Sequence, residues 1–135
     1  MSEYVRLDIE KAWINRVAYH LYLTSERLVA IAYVRWEATV RRDMGDFLWD
    51  HTKGKKTKDL TLDEKLQLSE KNFAIPNCSI MKVIYKKKGF ISSEHLTVEE
   101  TSGKKTQFML NLAWRHDKVL VNAFSEIYGA RFVAV

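Results

Sequence analysis

The residues that could do chemistry are few in kind. Four histidines, His20, His51, His95 and His116, and a single cysteine, Cys78, are the natural bases, nucleophiles and metal ligands. No two histidines stand three or four residues apart and none lies near Cys78, so the ligand spacing of a zinc site is missing. Cys78 would need a histidine brought beside it by the fold to act as a nucleophile, and no local pattern asks for one. A structural cysteine is the expectation. The acids of Val98-Glu99-Glu100 and of the stretch 41–47 form no recognisable catalytic pair, and no glycine-rich turn is followed by the Lys-Ser/Thr that cradles a phosphate. The chain is thus expected to hold no catalytic, cofactor-binding or metal-ligating residues and not to be an enzyme.

Lysine is where spacing becomes suggestive. Lys53, Lys55, Lys56 and Lys58 form one cluster, Lys86, Lys87 and Lys88 a second, and Lys104 and Lys105 a third. Residues 1–50 carry seven bases against eight acids, and residues 51–135 carry fifteen against nine. Basic clusters attract phosphates on lipid or nucleic acid, so these nine lysines are candidate anion- or lipid-binding residues. The plainer reading is of loops kept soluble by charge. Arg27 is expected to pair with a carboxylate. Trp13, Trp36, Trp49 and Trp114 are core candidates, but Trp36 and Trp49 flank a long irregular stretch and could mark a surface that another chain covers. With Val29, Ile31 and Tyr33 they make a candidate interface.

These groups must be positioned by a single domain, since 135 residues with one proline and five glycines leave little room for linkers. No apolar run approaches the roughly 20 residues of a membrane-spanning helix, and the first residues show no apolar signal region. A cytoplasmic protein is expected, peripheral to a membrane if the lysines engage lipid.

The dominant period is two. Val5, Leu7 and Ile9 alternate with Arg6, Asp8 and Glu10, which predicts a half-buried strand. Val17, Tyr19, Leu21 and Leu23 then oppose Arg16, Ala18, His20 and Tyr22. After Thr24-Ser25-Glu26-Arg27 come Leu28, Ala30, Ala32 and Val34 against Val29, Ile31 and Tyr33, a strand apolar on both faces. β-branched and aromatic residues run on to Val40, so a hairpin is preferred to a capped helix.

Further strands are expected after Pro76, with Met81, Val83 and Tyr85 on one face, and then through Leu96 and Val98. A turn at Ser102-Gly103-Lys104 leads to a strand presenting Phe108, Leu110, Leu112 and Trp114. Thr61 with Glu64 has capping-box spacing and predicts a short helix near residues 61–70. The period changes at the end. Asp117 is a plausible N-cap, Leu120, Ala123, Phe124, Ile127 and Tyr128 recur at helical spacing, and Gly129 suits the closing position. The tail "ARFVAV" is a last strand or an extension packing on a neighbour.

Six or seven antiparallel strands followed by one helix, over residues 15–129, resembles the pleckstrin-homology-like superfamily, particularly its prokaryotic PH-like and GRAM-type domains. "LYLTSERLVAI" is similar to that group's second-strand motif, "FAIPNCSIMKVIYKKK" to its Ile-Pro segment and following strand, and "LTVEETSGKKTQFML" with the final helix completes the order. The stretch 37–72 departs from the pattern as an insertion where such domains usually have a short loop.

The resemblance implies a mainly β, α+β fold. One PH-like domain spans residues 1–135, a bent antiparallel sheet or partly open barrel of about seven strands. A C-terminal helix over 117–129 would cap it, with Leu120, Phe124 and Ile127 facing inward. It also implies binding rather than catalysis, by contact with a protein partner or as a homo-oligomer. Peripheral binding to anionic lipid is the alternative. A phosphoinositide pocket is disfavoured, because the turn at 24–27 sets only Arg27 beside Glu26. Weak nucleic-acid binding is the second alternative, disfavoured since the outward positions Gln107, Met109 and Asn111 offer no aromatic platform.

Overall fold

Alternation folds into strands almost wherever it occurs. The computed structural model describes residues 3–33, 61–87, 89, 93–112 and 116–135, with the backbone of Leu48–Trp49. In chain order the strands are β1 (Val5–Ile14), β2 (Val17–Thr24), β3 (Arg27–Ala32), β4 (Leu48–Trp49), β5 (Phe73–Pro76), β6 (Ile80–Lys86), β7 (Glu94–Glu100), β8 (Lys105–Leu110) and β9 (Phe132–Ala134). The helices are α1 (Leu62–Leu66) and α2 (His116–Tyr128).

The turn between β2 and β3 is built by a side chain. Thr24 Oγ1 accepts from the N–H groups of Glu26 (3.1 Å) and Arg27 (2.9 Å), and its one proton is shared between the Arg27 carbonyl (2.9 Å) and Glu3 Oε2 (2.7 Å). A hydroxyl that ties the turn to itself removes the need for glycine. Arg27 pairs with Glu3 at 2.8 Å and Asp63 at 3.0 Å, fastening both the chain's start and α1 to this turn. Burial acts to raise the Glu3 carboxyl, but the hydrogen bonds from Arg27 and Thr24 and the guanidinium charge outweigh it and hold it below the usual range. The capping box forms as its spacing predicts: Thr61 Oγ1 accepts from the Glu64 N–H (3.1 Å) and Glu64 Oε1 from the Thr61 N–H (2.9 Å).

The strands make one sheet in the order β5-β3-β2-β1-β8-β7-β6-β9, with β4 pairing β1 off this path. Neighbours along it are antiparallel except β6 and β9. Two meanders, β1-β2-β3-β5 and β6-β7-β8, meet where β1 pairs β8 at Ala12↔Leu110 and Trp13↔Met109. The path ends at β5 and β9, so the sheet is not closed. The fold is therefore mainly β with one C-terminal helix.

The inner faces bury Leu7, Leu21, Val83, Leu96, Phe108 and Leu110, and α2 adds Leu120, Ala123, Phe124 and Tyr128 to them, with Ile127 half-buried. Where the chain passes from β5 to β6, two strands that do not pair, Asn77 ties four segments together. Its Nδ2 donates to the Thr24 carbonyl (3.1 Å) and its N–H to the Glu26 carbonyl (2.8 Å). Its Oδ1 accepts from the Tyr128 hydroxyl (2.8 Å). Its carbonyl accepts from Arg131 (2.9 Å), which also donates to the Ile80 carbonyl (2.9 Å).

Four expectations change. β1 is buried on both faces: Arg6, Asp8 and Glu10 lie under the rest of the chain, with Arg6 on Glu126 of α2 at 2.9 Å. Trp13 stands half-buried on the outer face, because its alternation partner Ala12 takes the core position. Met81 is half-exposed because the β6–β7 register slips between Ile80 and Lys82. Asp117 sits in the first turn of α2, which already begins at His116. The tail forms β9, and Gly129 takes the left-handed φ of +58° that glycine tolerates best. Beyond Tyr33, the predicted continuation of β3 to Val40 and the site residues Trp36, Lys53, Lys55, Lys56, Lys58 and Lys88, together with Trp114, lie outside the described residues.

Candidate functional site

Among the described residues, a cluster of titratable side chains lies on the outer face of β1, β2 and β3. Strand alternation sends Asp8, His20, Tyr22 and Tyr33 outward, and α1 sets Lys65 beside them. His20 Nε2 stands 3.1 Å from Asp8 Oδ1, and Lys65 Nζ donates to the Tyr22 hydroxyl at 2.8 Å and lies 4.7 Å from that ring's centre. The Tyr33 hydroxyl donates to the Glu10 carbonyl. Burial lowers the Lys65 ammonium's pKa, opposed by the charge of Asp8.

Read along the contacts, Lys65–Tyr22–His20–Asp8 looks like a proton relay, but its middle link has the wrong geometry. The His20 and Tyr22 rings stack, 4.3 Å apart and only 10° from parallel, and the hydroxyl lies 3.4 Å from Nδ1. A ring nitrogen accepts in the plane of its ring, so a stacked hydroxyl is poorly placed to exchange a proton with it. The cluster clamps instead. Tyr19 donates to the Lys71 carbonyl (3.3 Å), Asn72 Oδ1 accepts from the Ala32 N–H (2.6 Å), and Asn72 Nδ2 donates to the Lys65 carbonyl (2.8 Å). Together these hold residues 61–72 against the sheet. Sequence reasoning weighed His20 only for metal spacing. Its outward placement beside Tyr22 was legible in the alternation, whereas Lys65, 43 residues away from Tyr22, carried no local signal.

The interface candidates part company here. Val29 is fully buried within the chain itself, Ile31 and Tyr33 are half-buried, and Trp49 pairs its backbone with Asp8. Of the lysines, Lys86 and Lys87 are exposed at one end of the β6–β7 pair, where Lys86 faces His95, and Lys104 and Lys105 at the other, where Lys105 faces Glu99. The six-residue length between these ends is about 20 Å of strand. The described clusters are thus not one concentrated patch. Lys87 pairs with Asp117 at 3.4 Å, and Lys105 stands 3.9 Å from Glu99. Cys78 is exposed and unbridged. Among the described residues no three His, Cys, Asp or Glu side chains gather as a metal site, and no helix is long and apolar enough to cross a membrane.

One buried pair has a pH consequence. Fully buried Tyr85 donates its hydroxyl to Glu94, whose other oxygen accepts from the Leu112 N–H at 2.9 Å. Burial first, then the hydrogen bond to Glu94 and that carboxylate's charge, pushes the Tyr85 phenol far above its ordinary value near 10. Burial does the same to Tyr128, against the opposing charge of Arg131. A raised folded pKa means stability that is complete below about pH 10 and lost as pH climbs towards the folded value. Urea midpoints are expected to fall from pH 9.5 to 11.5, and Tyr85→Phe to fall less steeply over that range.

No protein-family model matches the chain, and no curated protein matches it.

Proposed function

We propose that this chain is a non-enzymatic interaction module of the PH-like kind, acting through its surface on protein partners, a second copy of itself included. Support for the PH-like reading comes from the meander order of the strands, the β1–β8 pairing that joins the two meanders, the unpaired passage from β5 to β6, and a terminal helix set on the inner faces. A binding role, in place of a pocket chemistry, is supported by an interior filled with Phe108, Phe124, Tyr85 and their neighbours.

The observation that carries the protein-contact reading is Leu68, a large apolar side chain held outward beside α1. It is 67% exposed just beyond α1, on the segment whose Asn72 accepts from the Ala32 N–H of β3. An apolar side chain held outward on a fastened segment is what a partner surface can cover. A photo-crosslinking residue at position 68 is expected to capture protein in cells, whereas one at exposed Ser125 on α2 is not. Static light scattering separates the kinds of partner. A mass rising with concentration above 15.8 kDa, and returned to that value by Leu68→Glu, identifies a second copy. Protein adducts with a constant monomer mass identify a different chain. The absence of adducts at position 68 overturns the reading.

A further inference from the structure

The non-local β1–β8 pairing creates a surface that strand-by-strand reading could not show. Inward side chains of β6, β7 and β8 fix the outward ones by alternation, and the registers align those in rows. One row runs Lys82, Glu99, Lys105, the next Ile84, Thr97, Gln107, and the third Lys86, His95, Met109 and, across the junction, Trp13. The lysines, Gln107 and Met109 are exposed, while Trp13, His95, Thr97 and Ile84 are half-buried. The platform absent from the strand β8 alone is supplied by Trp13 of β1 and His95 of β7, standing one strand on either side of Met109.

We propose that this outer face of β6–β7–β8, with Trp13 at its rim, binds single-stranded nucleic acid, a role beyond the protein contacts assigned to the α1 side. Among the described residues Lys82 and Lys86 engage no carboxylate and Lys105 stands 3.9 Å from Glu99, so the face offers three lysines to phosphates. Lys82 and Lys86 are four residues apart on one strand, about 13 Å, and Lys105 lies two strands from Lys82, about 10 Å. Glu99 is the opposing charge on the face, and it lies between Lys82 and Lys105. Three lysines on an anionic membrane would give only about a hundredfold enhancement, at roughly fivefold each. Unpaired bases add stacking on Trp13 and His95, worth roughly tenfold or more per ring, and can hydrogen-bond Thr97 and Gln107. Only a single strand uses the charges and the rings together.

The test is anisotropy of a fluorescein-labelled deoxythymidine oligonucleotide of about 15 residues, titrated with the whole chain. Binding is expected to weaken about twentyfold between 50 and 200 mM salt, as three phosphate contacts predict. Trp13→Ala is expected to weaken it about tenfold. Lys82→Glu/Lys86→Glu, which changes only exposed side chains, is expected to weaken it more, with a shallower salt slope. His95→Ala repeats the stacking test at a position outside the core, should Trp13→Ala fail to fold. No binding at 50 mM salt overturns the proposal, as does binding that none of these variants alters. Capture of phosphatidylserine vesicles in place of the oligonucleotide reassigns the face to membranes and overturns it equally. None of these outcomes bears on crosslinking at Leu68.

Discussion

Phe124→Ala should remove roughly 4 kcal/mol of stability, read as a fall in the urea midpoint with the slope unchanged. Phe124 is fully buried, and its ring lies 5.9 Å from that of Tyr128 and 5.6 Å from that of Phe132. It therefore joins α2 to β9 as well as to the sheet. Deleting the ring loses its burial and leaves a hole walled by a helix and two meanders, which cannot all collapse into it together. A drop below 2 kcal/mol would mean that α2 shifts inward, and that the helix is a movable plug.

Asn77→Ala is the second large effect, expected at about 3 kcal/mol and roughly 10 °C in Tm. The side chain is small, so lost packing contributes little. What matters is what it leaves behind: the Tyr128 hydroxyl and the Thr24 carbonyl each lose a partner in a buried place. An orphaned buried polar group costs about 1–3 kcal/mol, more than a hydrogen bond's net worth. Tyr128→Phe removes one bond from the other side and should cost less, since it leaves one orphan, Asn77 Oδ1. In a double-mutant cycle the two changes should be clearly non-additive, because they share a hydrogen bond. Strict additivity would show that the seam relaxes independently on its two sides.

The strands were legible because one-sided burial writes itself into the sequence at every second residue. Val17 to Leu23 and Glu94 to Glu100 read directly, and so did the helix through Leu120 and Phe124. Asn77 was visible only as the residue after a proline, since a buried amide leaves no periodic trace. Burial of Arg6, Asp8 and Glu10 was misread for a related reason: polar residues at alternate positions mean solvent unless something else covers them. The candidate faces needed long-range pairing, Lys65 with Tyr22 and Trp13 with Met109, which no local pattern encodes.

That last pairing also sets a schedule. β1 leaves the ribosome long before β8, its partner at Ala12 and Trp13. At 5–20 residues per second the two are separated by roughly 5–20 s of synthesis. The early meander can assemble meanwhile, but the far end of β1 waits with an unpaired backbone. An open strand edge on a nascent chain is a template for its neighbours on the same message. The hinge of this sheet is therefore also the place where the growing polypeptide most needs a chaperone or a slow neighbour.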